Sequence, residues 1–170
     1  HYSNAALQTT TFSQDQPVNT DWFDEITRTG SYMQSKMHEM GVKCSDCHNV
    51  HSGKVKFQNN QLCTQCHLPT QYDSEKHHHH DKNKPGASCV DCHMPGQYFM
   101  GRHFRRDHSL RIPRPDISKV TNSPNACNAC HKDKSVDWAI EKTTLWYGTK
   151  TKDHYGFTFH KAGLQDPSAI

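Results

Sequence analysis

The sequence of 170 residues predicts a mainly α-helical chain with much irregular loop and no significant sheet. Large apolar side chains are scarce, since Leu, Ile, Val and Phe together number 25, which is too few for an ordinary core. The pattern Cys-x-x-Cys-His occurs four times and contains all eight cysteines. Together these observations indicate a chain that folds around bound groups rather than around its own side chains.

The four motifs have the spacing of covalent c-type haem attachment, in which two thiols bond to one haem and the adjacent histidine is the proximal iron ligand. The cysteines are Cys44, Cys47, Cys63, Cys66, Cys89, Cys92, Cys127 and Cys130, and the proximal histidines are His48, His67, His93 and His131. We therefore predict a multihaem cytochrome c fold organised around four covalent haems (haem c). Because the haems would replace the missing core, we expect the apoprotein to be unfolded.

Two other uses of paired cysteines compete with this interpretation. The gap between Cys47 and Cys63 fits a zinc ribbon, but a ribbon needs no histidine after its second cysteine. A disulfide framework is common in small secreted domains, yet it also leaves the four histidines without a reason.

The N-terminal residues 1–29 predict an extended arm that is polar and contains Pro17. Within this arm, Asp21 is placed to begin a short helix that runs through Ile26. Gly30 is expected to break that helix.

A helix is expected between Ser31, which forms a capping box with Gln34, and Gly41. Its methionines recur at helical spacing, and we interpret them as packing against a haem face rather than binding iron. They are Met33, Met37 and Met40.

Further along, Asn59 or Asn60 is expected to cap a short helix that holds the second motif. Residues 69–88 are predicted to be loop, and residues 112–115 must be extended because of their prolines. We expect no strand in the chain.

Ser123 and Pro124 predict a helix start that leads into the fourth motif, and a last helix is expected over 136–147. The tail 149–170 is predicted to be irregular, with Tyr155, Phe157 and Phe159 able to dock on a partner. The expected organisation is thus an arm (1–29), a tetrahaem domain (30–148) and a C-terminal docking tail (149–170).

The net charge expected for the haem-loaded protein does not suggest nucleic-acid binding. The polypeptide has a formal charge of +3, and eight haem propionates would bring the holoprotein to about −5.

No stretch has the length of a transmembrane helix, and no signal peptide is visible at His1. Because haem c is attached outside the cytoplasmic membrane, we expect an exported protein that has lost its signal.

Eleven of the fifteen histidines remain for the second axial position. The two axial nitrogens of one iron lie about 4 Å apart on opposite haem faces. His51 follows His48 too closely to reach the far face of the same haem, so it should bind a neighbouring one. The same reasoning applies to His38, which precedes Cys44 by six residues.

Several stretches resemble the multihaem cytochromes c related to the tetrahaem electron carriers of ammonia oxidation, including haem modules found beside tetratricopeptide repeats. The stretches are Gly30–His38, Gly41–His51, His77–His80, Cys92–Pro95, Arg105–Ser109, Pro113–Pro115 and Asn125–Cys127. The resemblance implies that His38, His51, one histidine of 77–80 (for which we take His80) and His108 are distal ligands. The general layout also resembles, more weakly, tetrahaem subunits of extracellular nanowires.

These features predict electron transfer through four low-spin bis-His haems, without enzymatic activity. The chain would exchange electrons with redox partner proteins, at the cell surface, outside the cell or in the periplasm. A head-to-tail homopolymer forming a conductive filament is one form of this function. A monomeric periplasmic shuttle and a haem module of a multihaem reductase are the alternatives.

A cluster of arginines has two interpretations that the sequence leaves open. The cluster consists of Arg102, Arg105, Arg106, Arg111 and Arg114. It is either a solvated basic patch or a set in which two or more members pair with haem propionates.

Overall fold

The computed structural model describes residues 29–99, 101–149, 154–166 and 168. The predicted N-terminal arm and its helix over 21–26 therefore lie outside the described residues, apart from residue 29.

The described chain is mainly helical and rich in loops, as predicted. After helical residues 29–33, the helices are α1 (Lys36–Glu39), α2 (Cys44–Cys47), α3 (Gln61–Thr64), α4 (Pro69–Tyr72), α5 (Glu75–His78), α6 (Cys89–His93), α7 (Pro115–Thr121), α8 (Ala126–Cys130), α9 (Val136–Tyr147) and α10 (Tyr155–Gly163). Most of them are single turns, which are unstable alone because a short helix has too few hydrogen bonds to offset its nucleation. Their stability must come from whatever packs against them.

The expected N-terminal helix is broken in two. Residues 29–33 form one turn, and α1 restarts after Ser35, whose hydroxyl accepts a hydrogen bond from the His38 N–H at 3.1 Å. The start therefore lies at Ser35 rather than at Ser31. The end is where the sequence placed it, because Gly41 has φ +85°, a conformation that glycine adopts without steric cost.

Three other boundaries differ from the sequence predictions. Residues 69–88 are not continuous loop, since they contain α4 and α5, and Pro69 occupies the first position of α4. Helix α8 begins at Ala126 with Asn125 as its cap, and Ser123 and Pro124 precede it without regular secondary structure. The tail contains α10 and so is not irregular throughout.

Helix α9 confirms the predicted span 136–147. Its N-cap Ser135 accepts a hydrogen bond from the Trp138 N–H at 3.2 Å, and Gly148 with φ +75° ends it. The expectation that residues 112–115 are extended is wrong at its end, because Pro115 is the first residue of α7, a position that proline favours, and residues 112–114 have no regular secondary structure.

The expectation of no strand is wrong, because β1 (Gly96–Phe99) and β2 (His103–Arg106) form an antiparallel hairpin. Four-residue strands are too short for an alternating pattern to be recognised in the sequence. The Phe104 ring packs directly over Gly96, and a Cβ atom at this position would lie 2.2 Å from its Cζ, so a larger residue would displace the ring.

Little of the apolar side-chain area is covered by protein. Among the described residues, the only buried hydrophobic side chains are Ala87, Ile117 and Ala139, whereas fifteen large ones are exposed. Met33 and Met40 of the methionine stripe are 57% and 72% exposed. The described chain therefore has no protein core of ordinary size.

The chain forms two compact units, one from Arg28 to Arg111 and one that contains the described residues from Ile112 onward. The first holds motifs one to three and the hairpin, and the second holds the fourth motif with α7 to α10. No described helix is both long and apolar enough to cross a membrane.

Candidate haem-binding sites

The four motifs share one local form, a helical turn that ends at the histidine. The motif histidine N–H donates to the carbonyl of the first cysteine at 2.9 Å in the first motif, 3.0 Å in the second and 2.9 Å in the fourth. In the third motif, helix α6 extends through His93. Side chains three positions apart lie on the same face of such a turn, so both thiols of a motif can reach one ligand.

The thiols form no cross-links with one another. All eight cysteines lie in the described part of the chain, and none of them forms a disulfide. The described residues also contain no group of three or more His, Cys, Asp or Glu side chains that could hold a metal ion. A zinc ribbon would need four converging ligands.

Two motif histidines each face a second histidine at a distance that suits a shared iron. The ring centres of His48 and His108 lie 6.3 Å apart, and those of His77 and His93 lie 6.1 Å apart. Two imidazoles on one metal, with bonds of about 2.0 Å, have ring centres about 6.3 Å apart. A direct ring stack would be much closer, so the spacing fits axial ligands on opposite sides of an iron.

Hydrogen bonds fix the tautomer of three of these four rings. Nδ1 donates to a backbone carbonyl in His48 (Gly53, 2.8 Å), in His93 (Arg111, 3.0 Å) and in His108 (Arg106, 2.9 Å). A carbonyl can only accept, so Nδ1 must hold the proton and Nε2 keeps its lone pair. This is the second-shell arrangement typical of metal-binding histidines.

His77 has a different support. Burial lowers its pKa, with further contributions from His93, His78 and His79, so the ring favours the neutral form that can bind a metal. Tyr72 contacts His77 edge-on at 5.4 Å between ring centres and contacts His67 in the same way at 5.5 Å. The rings of His67, Tyr72, His77 and His93 therefore form a continuous series from the second motif to the third.

The hairpin holds the third motif through Arg106. One amino group of its guanidinium donates to the carbonyls of Val90 (3.0 Å) and Met94 (3.2 Å), and the other donates to the Asp91 carboxylate (3.1 Å). Since the carbonyl of Arg106 also accepts from His108, one residue supports both the third motif and the ring that faces His48.

The fourth motif is stabilised by two asparagines. Asn125 caps α8, accepting from the Asn128 N–H at 3.0 Å. The Asn128 amide donates to the Lys134 carbonyl at 2.8 Å and to the His131 carbonyl at 3.3 Å. Burial raises the pKa of Cys127, and the His131 ring lies 4.9 Å from that of Trp138.

The other predicted distal ligands occupy less specific positions. His38 is exposed in α1 and contacts Tyr32 edge-on at 5.6 Å, and His51 is exposed on the turn after the first motif. His80 lies over Gly86, where an added Cβ would be 2.6 Å from its ring. The structure thus brings His77 rather than His80 to a motif histidine, and the assignments of His38, His51 and His80 stay predictions.

A buried nitrogen of His78, the residue after His77, also fits a site that holds a bound group. Nε2 of His78 is buried and has no hydrogen-bond partner among the described residues. A buried polar nitrogen without a partner is costly, and it indicates that something beyond the described protein atoms occupies this region.

Two of the clustered arginines have carboxylate partners in the protein. Arg106 pairs with Asp91, and Arg114 binds both carboxylate oxygens of Asp116, with one contact at 2.6 Å. Arg111 donates to the Gln34 carbonyl at 3.3 Å. Pairing with propionates stays a prediction for this cluster.

Sequence reasoning did not identify Tyr72, Arg106 or Asn128 as parts of these sites. An arginine or amide that binds carbonyls has no sequence signature, and only the hairpin brings Arg106 to α6. The thirteen residues from His93 to Arg106 contain no pattern that predicts the contact.

Comparison with known proteins adds no further assignment. No protein-family model, no curated protein and no solved structure matches this chain.

Proposed function

We propose that this chain is an electron-transfer protein that holds four covalent c-type haems with bis-His ligation. The observation that supports it most strongly is the pairing of His48 with His108 and of His77 with His93 at the spacing of two axial ligands. When bound, the haems would supply one-electron redox couples, whose potentials are low when both axial ligands are histidines.

The residues of the chain perform three tasks in this proposal. The paired cysteines would hold each haem, and His48 with His108 and His77 with His93 would bind two of the irons, which would leave no position open for a substrate there. The carbonyls of Gly53, Arg111 and Arg106 keep the protons on Nδ1 and orient the rings. The exposed apolar side chains supply surface that the haems would cover.

Filled axial positions favour electron transfer over catalysis, because a reductase needs an open coordination position with donors around it. We therefore propose no enzymatic role. The protein would be exported, since haem c is attached outside the cytoplasm, and would act at the cell surface or in the periplasm with redox partner proteins.

Intact mass and optical spectra of the natively produced protein test the proposal. We expect the mass to exceed that of the polypeptide by four haems that acid-acetone does not extract, together with a Soret band. Bound zinc without a Soret band would overturn it.

Ligation separates an electron carrier from a haem enzyme. We expect low-spin electron paramagnetic resonance signals for all four irons and no reaction with carbon monoxide. A high-spin signal that responds to carbon monoxide or nitrite in the unmodified protein would instead support the reductase alternative.

A further inference from the structure

The second and third motifs are joined by the side chain of Asn60. This residue precedes α3 at the N-cap position, yet its side chain makes no capping hydrogen bond to that helix. Its amide nitrogen donates to the Asp73 carboxylate at 2.7 Å and to the Ala87 carbonyl at 2.9 Å. Its amide oxygen accepts from the Cys89 N–H at 2.9 Å.

These contacts cross a long sequence separation. Ala87 and Cys89 flank the start of α6, which is 27 to 29 residues from Asn60. A cap residue normally satisfies the N–H groups of its own helix. Here the amide nitrogen and the amide oxygen of Asn60 both bind groups outside α3. Together these bonds fix the start of the third motif against the start of the second.

The first thiols of the two motifs meet at this junction. The Cys63 and Cys89 side chains interact closely enough that the pKa of Cys63 is raised and that of Cys89 is lowered, and Ala87, two residues before Cys89, is buried at 7% exposure. The Cys63 and Cys89 sulfurs are also the atoms that would bond to haem. The amide of Asn60 therefore binds the backbone beside a point where attachment atoms of two different motifs interact.

We infer that Asn60 is a positioning residue that sets the spacing between the second and third haem attachment sites, and so the electronic coupling between the groups held there. The inference rests on the proposed function and goes beyond it, because haem attachment does not require that two motifs be coupled. Asn60 touches neither iron ligand, and it acts through the backbone of Cys89 and through Asp73.

The experiment compares the holoprotein with Asn60→Ala and with the control Gln71→Ala, which removes an exposed amide from neighbouring α4. Circular dichroism in the Soret region reports the interaction between neighbouring haems, and potentiometric titration reports the separation of their potentials. We expect Asn60→Ala to lose a large part of the Soret couplet and to shift the potentials of two haems. Haem content and low-spin signals should stay at four, and Gln71→Ala should match the unmodified protein.

A second variant keeps the inference testable if Asn60→Ala folds poorly. Asn60→Asp keeps the acceptor for Cys89 but loses both donors and faces the Asp73 carboxylate. Asn60→Asp with Asp73→Asn restores the donor–acceptor pair between these positions, and we expect it to recover part of the couplet that Asn60→Asp loses. An unchanged couplet and unchanged potentials in both Asn60→Ala and Asn60→Asp would overturn the inference.

Failure of the proposed function gives a different result. If the unmodified protein contains no covalent haem or has open irons, the proposed function is wrong. If it contains four low-spin haems and the Asn60 variants change nothing, only the role of Asn60 is wrong.

Discussion

At the scale of single residues, a hydrogen bond on Nδ1 orients three of the four paired histidine rings but does not by itself identify an iron ligand. In His48, His93 and His108, Nδ1 donates to a backbone carbonyl. The other ring nitrogen, Nε2, therefore keeps its lone pair, and the carbonyl sets the direction in which it points. A carbonyl fixes both the tautomer and the orientation, so the ring loses less entropy when it binds a metal. His80 also has Nδ1 against a carbonyl, that of His78 at 2.5 Å, but it faces Gly86 rather than a motif histidine.

The different positions of His77 and His80 give a prediction for the run of four histidines. We expect His77→Ala to convert one of four low-spin haems to a high-spin form that binds carbon monoxide, because His77 faces His93. His80→Ala is the matched control and should leave all four low-spin. Optical and electron paramagnetic resonance spectra measure both outcomes, and the reverse pattern would return the assignment to His80.

The sequence could predict the cysteines and the motif histidines because they are adjacent along the chain. It could narrow the candidates for the distal ligands only to a set of histidines, because the fold of the backbone decides which of them can reach an iron. His77 and His80 are indistinguishable in a run of four histidines. What separates them is the geometry of α5, which ends at His78 and is followed by His79 in the left-handed region (φ +56°).

At the scale of secondary structure, the longest helix was predictable and the shortest elements were not. Helix α9 has a serine cap, twelve residues and a terminal glycine, so its signals are local. The hairpin and α4 to α6 depend on contacts made at a distance, such as the packing of Phe104 on Gly96 and the bonds of Arg106 to α6. Local signals cannot report contacts of that kind.

Arg106 gives a stability prediction at this scale. Arg106→Ala removes two bonds to carbonyls at the end of α6 and one to Asp91, and it should destabilise the holoprotein by about 2 kcal/mol. Guanidinium unfolding followed by far-ultraviolet circular dichroism measures this loss. Arg102→Ala removes an exposed arginine near the same turn and should change stability by less than about 0.5 kcal/mol. Equal effects of the two variants would show that the bonds to α6 contribute nothing specific.

The start of α7 gives a pH-dependent prediction. Burial opposes ionisation of Asp116, but the hydrogen bonds and charge of Arg114 prevail and lower its pKa below the usual Asp value. A lowered native pKa contributes stability that is present above the unfolded-state pKa and is lost as the pH falls through the native pKa. We therefore expect Asp116→Asn to cost about 1 kcal/mol at pH 7 and progressively less in acid, below about pH 4.

Thermal unfolding of both proteins across this pH range measures the difference. The control is Asp137→Asn, which removes the carboxylate of the exposed pair with Lys119. It should have little effect on stability, since exposed ion pairs contribute little. A difference between the unmodified protein and Asp116→Asn that does not shrink in acid would contradict the assigned ion pair.

At the scale of the whole molecule, the described chain has too small a core to fold alone. Three small or medium apolar residues are buried among the described residues, and Val50 and Leu145 are more than 70% exposed. Ordering the backbone costs about 1–2 kcal/mol per residue, which this burial cannot offset. In the proposed holoprotein, four haems would supply most of the missing apolar contact.

A chain in which all eight cysteines are replaced by serine should therefore lack a cooperative unfolding transition. Calorimetry and amide hydrogen exchange measure this, and we expect near-random exchange throughout. The His77→Ala holoprotein keeps its thioether bonds and serves as the control that retains a transition. A sharp transition in the cysteine-free chain would show that the polypeptide folds without haem.

The last prediction concerns association between copies. Helix α10 replaces the expected irregular tail, and its Tyr155 and Phe159 rings contact each other edge-on at 5.8 Å. Phe159 stays 45% exposed and Leu164 stays 69% exposed, so this end of the chain presents apolar surface. If that surface packs on a different face of the next copy, the contact is heterologous and does not close, which yields a filament.

We expect native material to contain particles much larger than one chain, whose mass with four haems is about 22 kDa. Replacing both Phe159 and Leu164 by serine should shift these particles toward the single chain, whereas Leu145→Ser, an equally exposed position in α9, should not. Light scattering and electron microscopy measure the size and shape. A uniform single-chain species before any substitution would assign the protein to the monomeric shuttle, because a soluble shuttle needs only a transient contact to pass electrons on.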